Sequence, residues 1–122
     1  MILADTSIWV DHFRKGNKKL RTYLEQGQIA MHPFVIAELA LGSVGERTKT
    51  LALLDLLPQI GVAQIREVRH LIETRRLCTL GIGLVDAHLI ASVFIHPATV
   101  IWTTDKPLRK VAEALSISFT SD

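Results

Sequence analysis

The sequence predicts an α/β fold, a three-layer sandwich of helices around a mostly parallel central sheet. Short apolar segments of strand character alternate with helical patterns along the chain, which is typical of that architecture. The chain has 122 residues, of which 48% are hydrophobic, so it can bury a core without cross-links. No linker, repeat or low-complexity tract divides it, and we expect a single domain over residues 1–122.

The first third of the chain predicts two strands and three helices. A buried strand over 2–4 leads into a helix that begins at Thr6 or Ser7 and runs to about residue 13. A second helix over 18–26 ends before Gly27, and a strand over 28–31 follows. Pro33 suits the first turn of a third helix, which ends at Gly42.

The remainder of the chain continues the alternation. Residues 47–57 are predicted to be helical and to end before Pro58, and 60–62 to form a short strand. An amphipathic helix over 65–77 and a more apolar helix over 84–94 follow. The clearest strand is 99–102, Pro107 opens a last helix, and 117–119 forms the final strand.

Charge, cysteine content and hydropathy exclude several classes of protein. The formal net charge is only +2, but five basic residues crowd the stretch 14–21, as a phosphate-binding cluster or as a solvated helix face. A single cysteine, Cys78, excludes an intramolecular disulfide and a cysteine-rich zinc site. The apolar runs are too short to span a membrane. We therefore expect a soluble, cytoplasmic protein without a membrane partner.

Four acidic residues stand at unusual places in this pattern. Asp5 and Asp105 follow predicted strands, at the sheet edge where α/β proteins form their sites. Glu38 and Asp86 lie inside helical segments that are apolar all round, which predicts that both are buried. Because an ionised carboxylate is rarely buried unless it is paired or bound to metal, we expect the four acids to meet at one edge.

Each acid taken alone also has an ordinary structural interpretation. Asp5 and Asp105 are both suitable N-caps for the helices that follow them. Glu38 alone suits an exposed position on a helix that packs on one side only. Asp86 alone suits a cap after Gly83 or an ion pair with Arg76.

Together, the four acids predict a metal site. Two carboxylates about 5 Å apart repel by about 3 kcal/mol at an effective dielectric constant near 20, so the cluster calls for a cation. Oxygen ligands favour Mg²⁺ or Mn²⁺, whose best-suited chemistry is the hydrolysis of phosphodiesters by an activated water. The hydroxyls of Thr6, Ser7 and Thr103 would form the rim, whereas the five histidines show no ligand spacing and are interpreted as structural.

Four short motifs, in this order, resemble the PIN-domain ribonucleases and, more narrowly, the small VapC-type toxins of toxin–antitoxin modules. They are DTS at 5–7, AELALG at 37–42, GLVDAHLIAS at 83–92 and TTDKPL at 103–108. The resemblance implies a PIN-like fold and a catalytic, metal-binding tetrad of Asp5, Glu38, Asp86 and Asp105. One departure concerns a further acid that some relatives carry shortly after the position of Asp105, where this chain has Lys106.

The resemblance also implies a Mg²⁺- or Mn²⁺-dependent endoribonuclease that acts as a toxin, with RNA as substrate, an antitoxin partner and a homodimer. An apolar first helix carrying Trp9 suits a dimer interface and equally suits the core. Candidate contacts to the RNA backbone are the basic residues Arg14, Lys15, Lys18, Lys106 and Arg109.

Two other functions remain open at the level of sequence. One is a PIN-like module that binds without catalysing, against which the intact tetrad argues. The other is a phosphoacceptor receiver domain, which has a similar size and order of elements. A receiver needs an adjacent acidic pair after its first strand and an acceptor Asp after a middle strand. This chain has DTS at the first place, and no Asp follows 60–62.

Overall fold

The computed structural model describes residues 1–120 and contains a parallel sheet of three strands flanked by helices. The strands are β1 (Ile2–Ala4), β2 (Ile29–Ala30) and β3 (Val100–Trp102), and their order across the sheet is β2-β1-β3. In the central strand, Leu3 lies beside Ala30 on one side and Ile101 on the other. The predicted α/β fold with a parallel sheet is confirmed.

Two single parallel bridges extend the sheet at its edges, between Met31 and Gln59 and between Ile101 and Ser118. The strands predicted over 60–62 and 117–119 are therefore wrong in extent, because pairing lasts for one bridge at each place. After the first bridge, the Gly61 N–H donates to a histidine ring instead of a strand. At the second, the Ile117 N–H is already taken by a carbonyl at the end of the last helix.

Seven helices lie within residues 1–120, at the places the sequence predicts. The first helix extends two residues beyond its predicted end and stops at Gly16, whose φ of 81° a glycine adopts without strain. The last helix begins at Lys106, one residue before the predicted Pro107. Their bounds are α1 Thr6–Lys15, α2 Lys18–Glu25, α3 Pro33–Ala40, α4 Arg47–Asp55, α5 Ile65–Thr74, α6 Leu84–Phe94 and α7 Lys106–Ala114.

The chain path creates a crevice between β1 and β3. It leaves β1 in one direction to form β2 and then crosses back over β1 to form β3. Right-handed crossovers in these two directions place helices on both faces of the sheet. In such sheets the strand order reverses at one point, and ligands bind there, outside the carboxyl ends of the strands. In this chain that point lies beyond Ala4 and Trp102.

The core forms around the sheet and the most deeply buried helix, α6, in which every residue from Ala87 to Val93 is buried. Trp9 is also buried, at 2% exposure, and its ring lies against Phe13 with 6.0 Å between centroids, so Trp9 belongs to the core. Within residues 1–120, none of the helices has the length and hydropathy that a bilayer crossing requires.

Candidate active site

Asp5 lies at the carboxyl end of β1 and is one of the few buried charged residues, with 5% exposure. Its Oδ1 accepts from the Ser7 hydroxyl at 2.5 Å and from the Ile8 N–H at 3.3 Å. Its Oδ2 accepts from the Thr103 hydroxyl at 2.5 Å. Asp5 is therefore the N-cap of α1, as its structural interpretation predicted, and it is also tied to the end of β3.

The two hydroxyls beside Asp5 have defined donor and acceptor roles. Each carries one proton, and each donates it to the Asp5 carboxylate. Their lone pairs accept backbone N–H groups: Thr104 donates to Ser7 Oγ at 3.0 Å, and Asp105 donates to Thr103 Oγ1 at 2.9 Å. The network joins the end of β1 to the end of β3 and fixes the orientation of Asp5.

Glu38 reaches the same edge from α3. Its Oε1 accepts from the Thr6 hydroxyl at 2.6 Å, which connects α3 to the first turn of α1. The start of α3 is fixed by His32, which is fully buried: the Phe34 N–H donates to its Nδ1 at 2.9 Å. The other ring nitrogen, Nε2, must then carry the proton and donate to Ser92 Oγ, 3.0 Å away on α6.

The end of α3 is fixed by Arg47 from the start of α4. Its guanidinium donates to the Ala40 carbonyl at 2.5 Å and to the Gly42 carbonyl at 3.3 Å. These are carbonyls that the last turn of a helix leaves without partners. Residues at both ends of α3 therefore determine where Glu38 stands.

Asp86 and Asp105 complete the acidic set. Asp86 lies in the first turn of α6, half-buried, and its carboxylate accepts from the Gly83 backbone N–H. Asp105 is exposed and is the N-cap of α7, accepting from the Leu108 N–H at 3.0 Å. The structural interpretation of Asp105 as an N-cap is thus correct, whereas the N-cap of α6 is Gly83 and not Asp86.

The negative charges of the other three acids all act on Asp86. Burial raises the pKa of the Asp86 carboxyl, and the negative charges of Asp105, Asp5 and Glu38 raise it further. Burial also raises the pKa of Asp5, although the hydrogen bonds from Ser7 and Thr103 oppose that effect. None of the four acids forms an ion pair with a lysine or arginine of residues 1–120. The edge therefore carries an excess of uncompensated negative charge.

The donor set fits a hard divalent cation, because the converging groups are carboxylates and hydroxyls. In the positions described, however, no three acidic, histidine or cysteine side chains of residues 1–120 are grouped closely enough to hold an ion. The chemistry and charge of the edge thus suit Mg²⁺ or Mn²⁺, while the side chains have not closed into a cage.

One expectation about burial is wrong. Glu38 was predicted to be buried because its helix is apolar all round, yet its side chain is exposed. The helix α3 has eight residues and buries only Val35 and Leu39, so apolar composition did not mean burial on every side. Asp86 is half-buried rather than enclosed, because it occupies the first turn of α6, ahead of the buried stretch.

The five basic candidates all have exposed side chains. Lys106 and Arg109 lie on α7, directly after the end of β3, and an Arg109 Nη2 donates to the Thr103 carbonyl at 2.9 Å. Arg14 and Lys15 lie near the end of α1 and Lys18 at the start of α2. Lys15 forms an ion pair with Asp11 at 3.3 Å, so its charge is partly neutralised.

Sequence reasoning missed the two residues that fix α3. The signal for His32 is its place directly before Pro33, which is the N-cap position of a helix that opens with proline. Its partner Ser92 lies 60 residues away, which no local pattern reveals. For Arg47, the signal is a basic residue shortly after a helix that ends at glycine.

Comparison with known proteins gives one family. The sequence profile of the PIN domain matches residues 2–114, a range that includes all four acids. The chain belongs to the PIN-domain family. It is also 38% identical over 122 residues to Ribonuclease VapC32 of Mycobacterium tuberculosis, with the same figures in two strains.

That alignment covers 100% of this chain and 98% of the relative. The relative is named as a VapC-type ribonuclease, so the resemblance of the four motifs to PIN-domain proteins of that type is confirmed.

Proposed function

We propose that this PIN-domain protein is a metal-dependent endoribonuclease that acts as the toxin of a toxin–antitoxin module. The observation that supports the proposal is that the charges of Asp5, Glu38 and Asp105 all raise the pKa of Asp86, beside the edge where β1 and β3 end. The likeness to a VapC ribonuclease over the full chain supports RNA as the substrate.

The four carboxylates are the residues that would hold Mg²⁺ or Mn²⁺. When bound, such an ion supplies Lewis-acid polarisation of the phosphate and lowers the pKa of a water molecule. Ser7 and Thr103 keep the Asp5 carboxylate oriented by donating to both of its oxygens. Thr6 holds Glu38 at the rim.

The basic residues would hold the RNA strand across this edge. Lys106 and Arg109 follow β3 directly, so they are placed to contact phosphates near the reacting bond. Arg14 and Lys15 lie in the last turn of α1 and Lys18 in the first turn of α2, and they would contact the backbone beside the Glu38 end of the edge or further along. Such contacts position the strand without reading its sequence.

The proposed partners of the toxin are an antitoxin protein and a second copy of the chain. The proposed location of the toxin is the cytoplasm. The name of the relative supports the antitoxin, since VapC-type toxins are paired with one. Exposed apolar side chains on several helices, such as Leu53 at 55% and Ile65 at 54%, supply surface for these contacts.

The decisive test is cleavage of total RNA by the purified protein with Mg²⁺ or Mn²⁺ and with EDTA. We expect metal-dependent cleavage that Asp5→Asn abolishes, while circular dichroism shows that the variant keeps its fold. Normal cleavage by Asp5→Asn would show that the site is wrongly assigned.

A second measurement separates catalysis from binding alone. Mn²⁺ at about 100 times its Kd should stabilise the folded protein by about 2.7 kcal/mol, which is several degrees in Tm for a chain of this size. If Mn²⁺ produces no cleavage and no shift in Tm, the result would favour the PIN-like module that binds without catalysing.

A further inference from the structure

A cleft opens between α1 and α3, directly beside Glu38. Its volume is about 300 Å³. Val10, Phe13, Leu39 and Val44 form apolar walls, and Arg14 and Glu38 provide the charged groups. The cleft shares Glu38 with the acidic edge, so whatever occupies it lies next to the reacting phosphate of the proposed ribonuclease.

We propose that this cleft binds one nucleobase of the RNA substrate, stacked on the Phe13 ring and adjacent to the phosphate that is cleaved. The proposal rests on the proposed ribonuclease function and adds a subsite that selects the cleavage position.

The shape of the cleft suits a single planar ring. A volume of about 300 Å³ is at the lower end of the range for small-molecule sites. A helix is about 10–12 Å in diameter with its side chains and would not fit inside such a space. One base, inserted from a single strand that crosses the acidic edge, has the required size.

Phe13 is prepared to stack a base. Its side chain is 38% exposed, which is unusual for a phenylalanine and leaves aromatic surface available to a ligand. Contact with the buried Trp9, with 6.0 Å between the ring centroids, holds the ring in place from the other side. Aromatic side chains that present a face to solvent are the standard platforms for unpaired bases.

The charges around the cleft also favour a nucleotide. Arg14 lies on its rim and can contact the phosphate that follows the bound base. Glu38 accepts from Thr6 through Oε1, and a carboxylate has further acceptor positions for the amino group of a base. The same carboxylate opposes the entry of an acidic peptide, and the size of the cleft and the Phe13 ring favour a nucleobase as its occupant.

The experiment uses short oligoribonucleotides that contain one mapped cleavage site, with each flanking base removed in turn to leave an abasic ribose. The wild-type protein is compared with Phe13→Leu, which removes the aromatic face, and Phe13→Tyr, which keeps it. Phe94→Leu is the matched control, because Phe94 is 37% exposed but lies at the far end of α6 from Asp86.

We expect one flanking position at which removal of the base lowers kcat/KM by about 5- to 150-fold for the wild type, Phe13→Tyr and Phe94→Leu. Phe13→Leu should cleave the intact and the abasic RNA at nearly the same rate. Gly42→Val provides a second variant. The backbone at Gly42 is not left-handed, and an added Cβ would meet only the Leu39 carbonyl at 3.6 Å, so the position accepts a side chain. The valine side chain should narrow the cleft.

The proposal is overturned if no abasic position affects the wild type, or if Phe13→Leu and Gly42→Val keep the full dependence on the base. It is also overturned if these variants bind RNA normally but lose the antitoxin, which would assign the cleft to a protein partner. Absence of any metal-dependent cleavage by the wild type would instead refute the ribonuclease function itself, and the subsite with it.

Discussion

The acidic edge has two halves that are built differently. The strand half consists of Asp5, Ser7 and Thr103 at the ends of β1 and β3, and its carboxylate is 5% exposed with both oxygens hydrogen-bonded. The helix half consists of Glu38 and Asp105, which are both exposed. The strand half is oriented by its own network, whereas the helix half depends on how its helices are held.

The charges of both halves act on one residue. Asp86 stands between the halves, and the carboxylates of both raise its pKa. Fixed strand ends can hold one acid in a desolvated position, since neighbouring hydroxyls stabilise its charge. For the exposed acids on helices, mutual repulsion would be compensated by a bound cation. The following predictions test the comparison, from the largest expected effect to the smallest.

Asp86→Asn should have opposite effects on activity and stability. Loss of a proposed metal ligand should reduce cleavage by more than about 100-fold, since even residues that only support ligands account for about 10- to 100-fold. Removing a charge that faces three like charges should stabilise the metal-free protein by about 0.5–2 kcal/mol. Cleavage assays and thermal unfolding in EDTA would measure both effects.

Glu73→Gln on α5 is the control for Asp86→Asn, because it removes an exposed acid far along the chain from the edge. A decrease in the Tm of Asp86→Asn, with Glu73→Gln unchanged, would contradict the assigned repulsion.

Mild acid should have opposite effects at the two places. It should destabilise the start of α3, and it should stabilise the strand half by protonating Asp5. Burial lowers the pKa of His32 from 6.5 to about 4. The neutral imidazole therefore contributes fully to the free energy of unfolding above pH 6.5, and this contribution is lost as the pH falls to about 4. That shift corresponds to about 3 kcal/mol of unfolding free energy. Asp5 has the opposite sign: its raised pKa makes protonation stabilising as the pH falls.

Denaturant unfolding of the wild type and His32→Asn between pH 7 and pH 4 would separate these two contributions. Asparagine keeps an N-cap acceptor but does not titrate, so the variant should lose most of the acid-induced decrease in stability. His70→Gln, at an exposed position on α5, serves as the control. Equal pH dependence in His32→Asn and the wild type would refute this role of His32.

Thr103→Val and Thr6→Val compare the two halves with the same substitution. Thr103→Val leaves the Oδ2 atom of the buried Asp5 without its donor and should cost about 1–3 kcal/mol of stability and about 10- to 100-fold in cleavage. Thr6→Val removes a donor to the exposed Glu38 and should change stability by less than about 0.5 kcal/mol. Urea unfolding and cleavage rates measure both, and equal losses would mean that the halves do not differ.

Arg47→Lys should have a small effect on stability and on cleavage. A lysine cannot donate to the Ala40 and Gly42 carbonyls with a planar fork, so the end of α3 should loosen by about 0.5–1 kcal/mol. We expect cleavage to fall a few-fold through the position of Glu38. Arg69→Lys, exposed on α5, is the control and should leave stability and cleavage unchanged. A similar loss in Arg69→Lys would show that the effect comes from replacing a guanidinium in general and not from the end of α3.

The sequence predicted best what local chemistry determines. Asp5 and Asp105 were placed correctly because a strand followed by a capping residue is a local pattern, and the helix types followed from periodicity and caps. The exposure of Glu38 was mispredicted because it depends on which elements cover α3. The buried contact between His32 and Ser92 and the cleft beside Phe13 depend in the same way on distant parts of the chain.

Within residues 1–120, the sheet offers almost no backbone at its two edges, since each ends in a single bridged residue, Gln59 or Ser118. An added strand from another molecule would find too few unpaired N–H and C=O groups to form a ladder, which protects the chain from edge-to-edge aggregation. The proposed contacts with an antitoxin and a second copy would therefore use side chains on the helices, with specificity from surface complementarity rather than from β-strand addition.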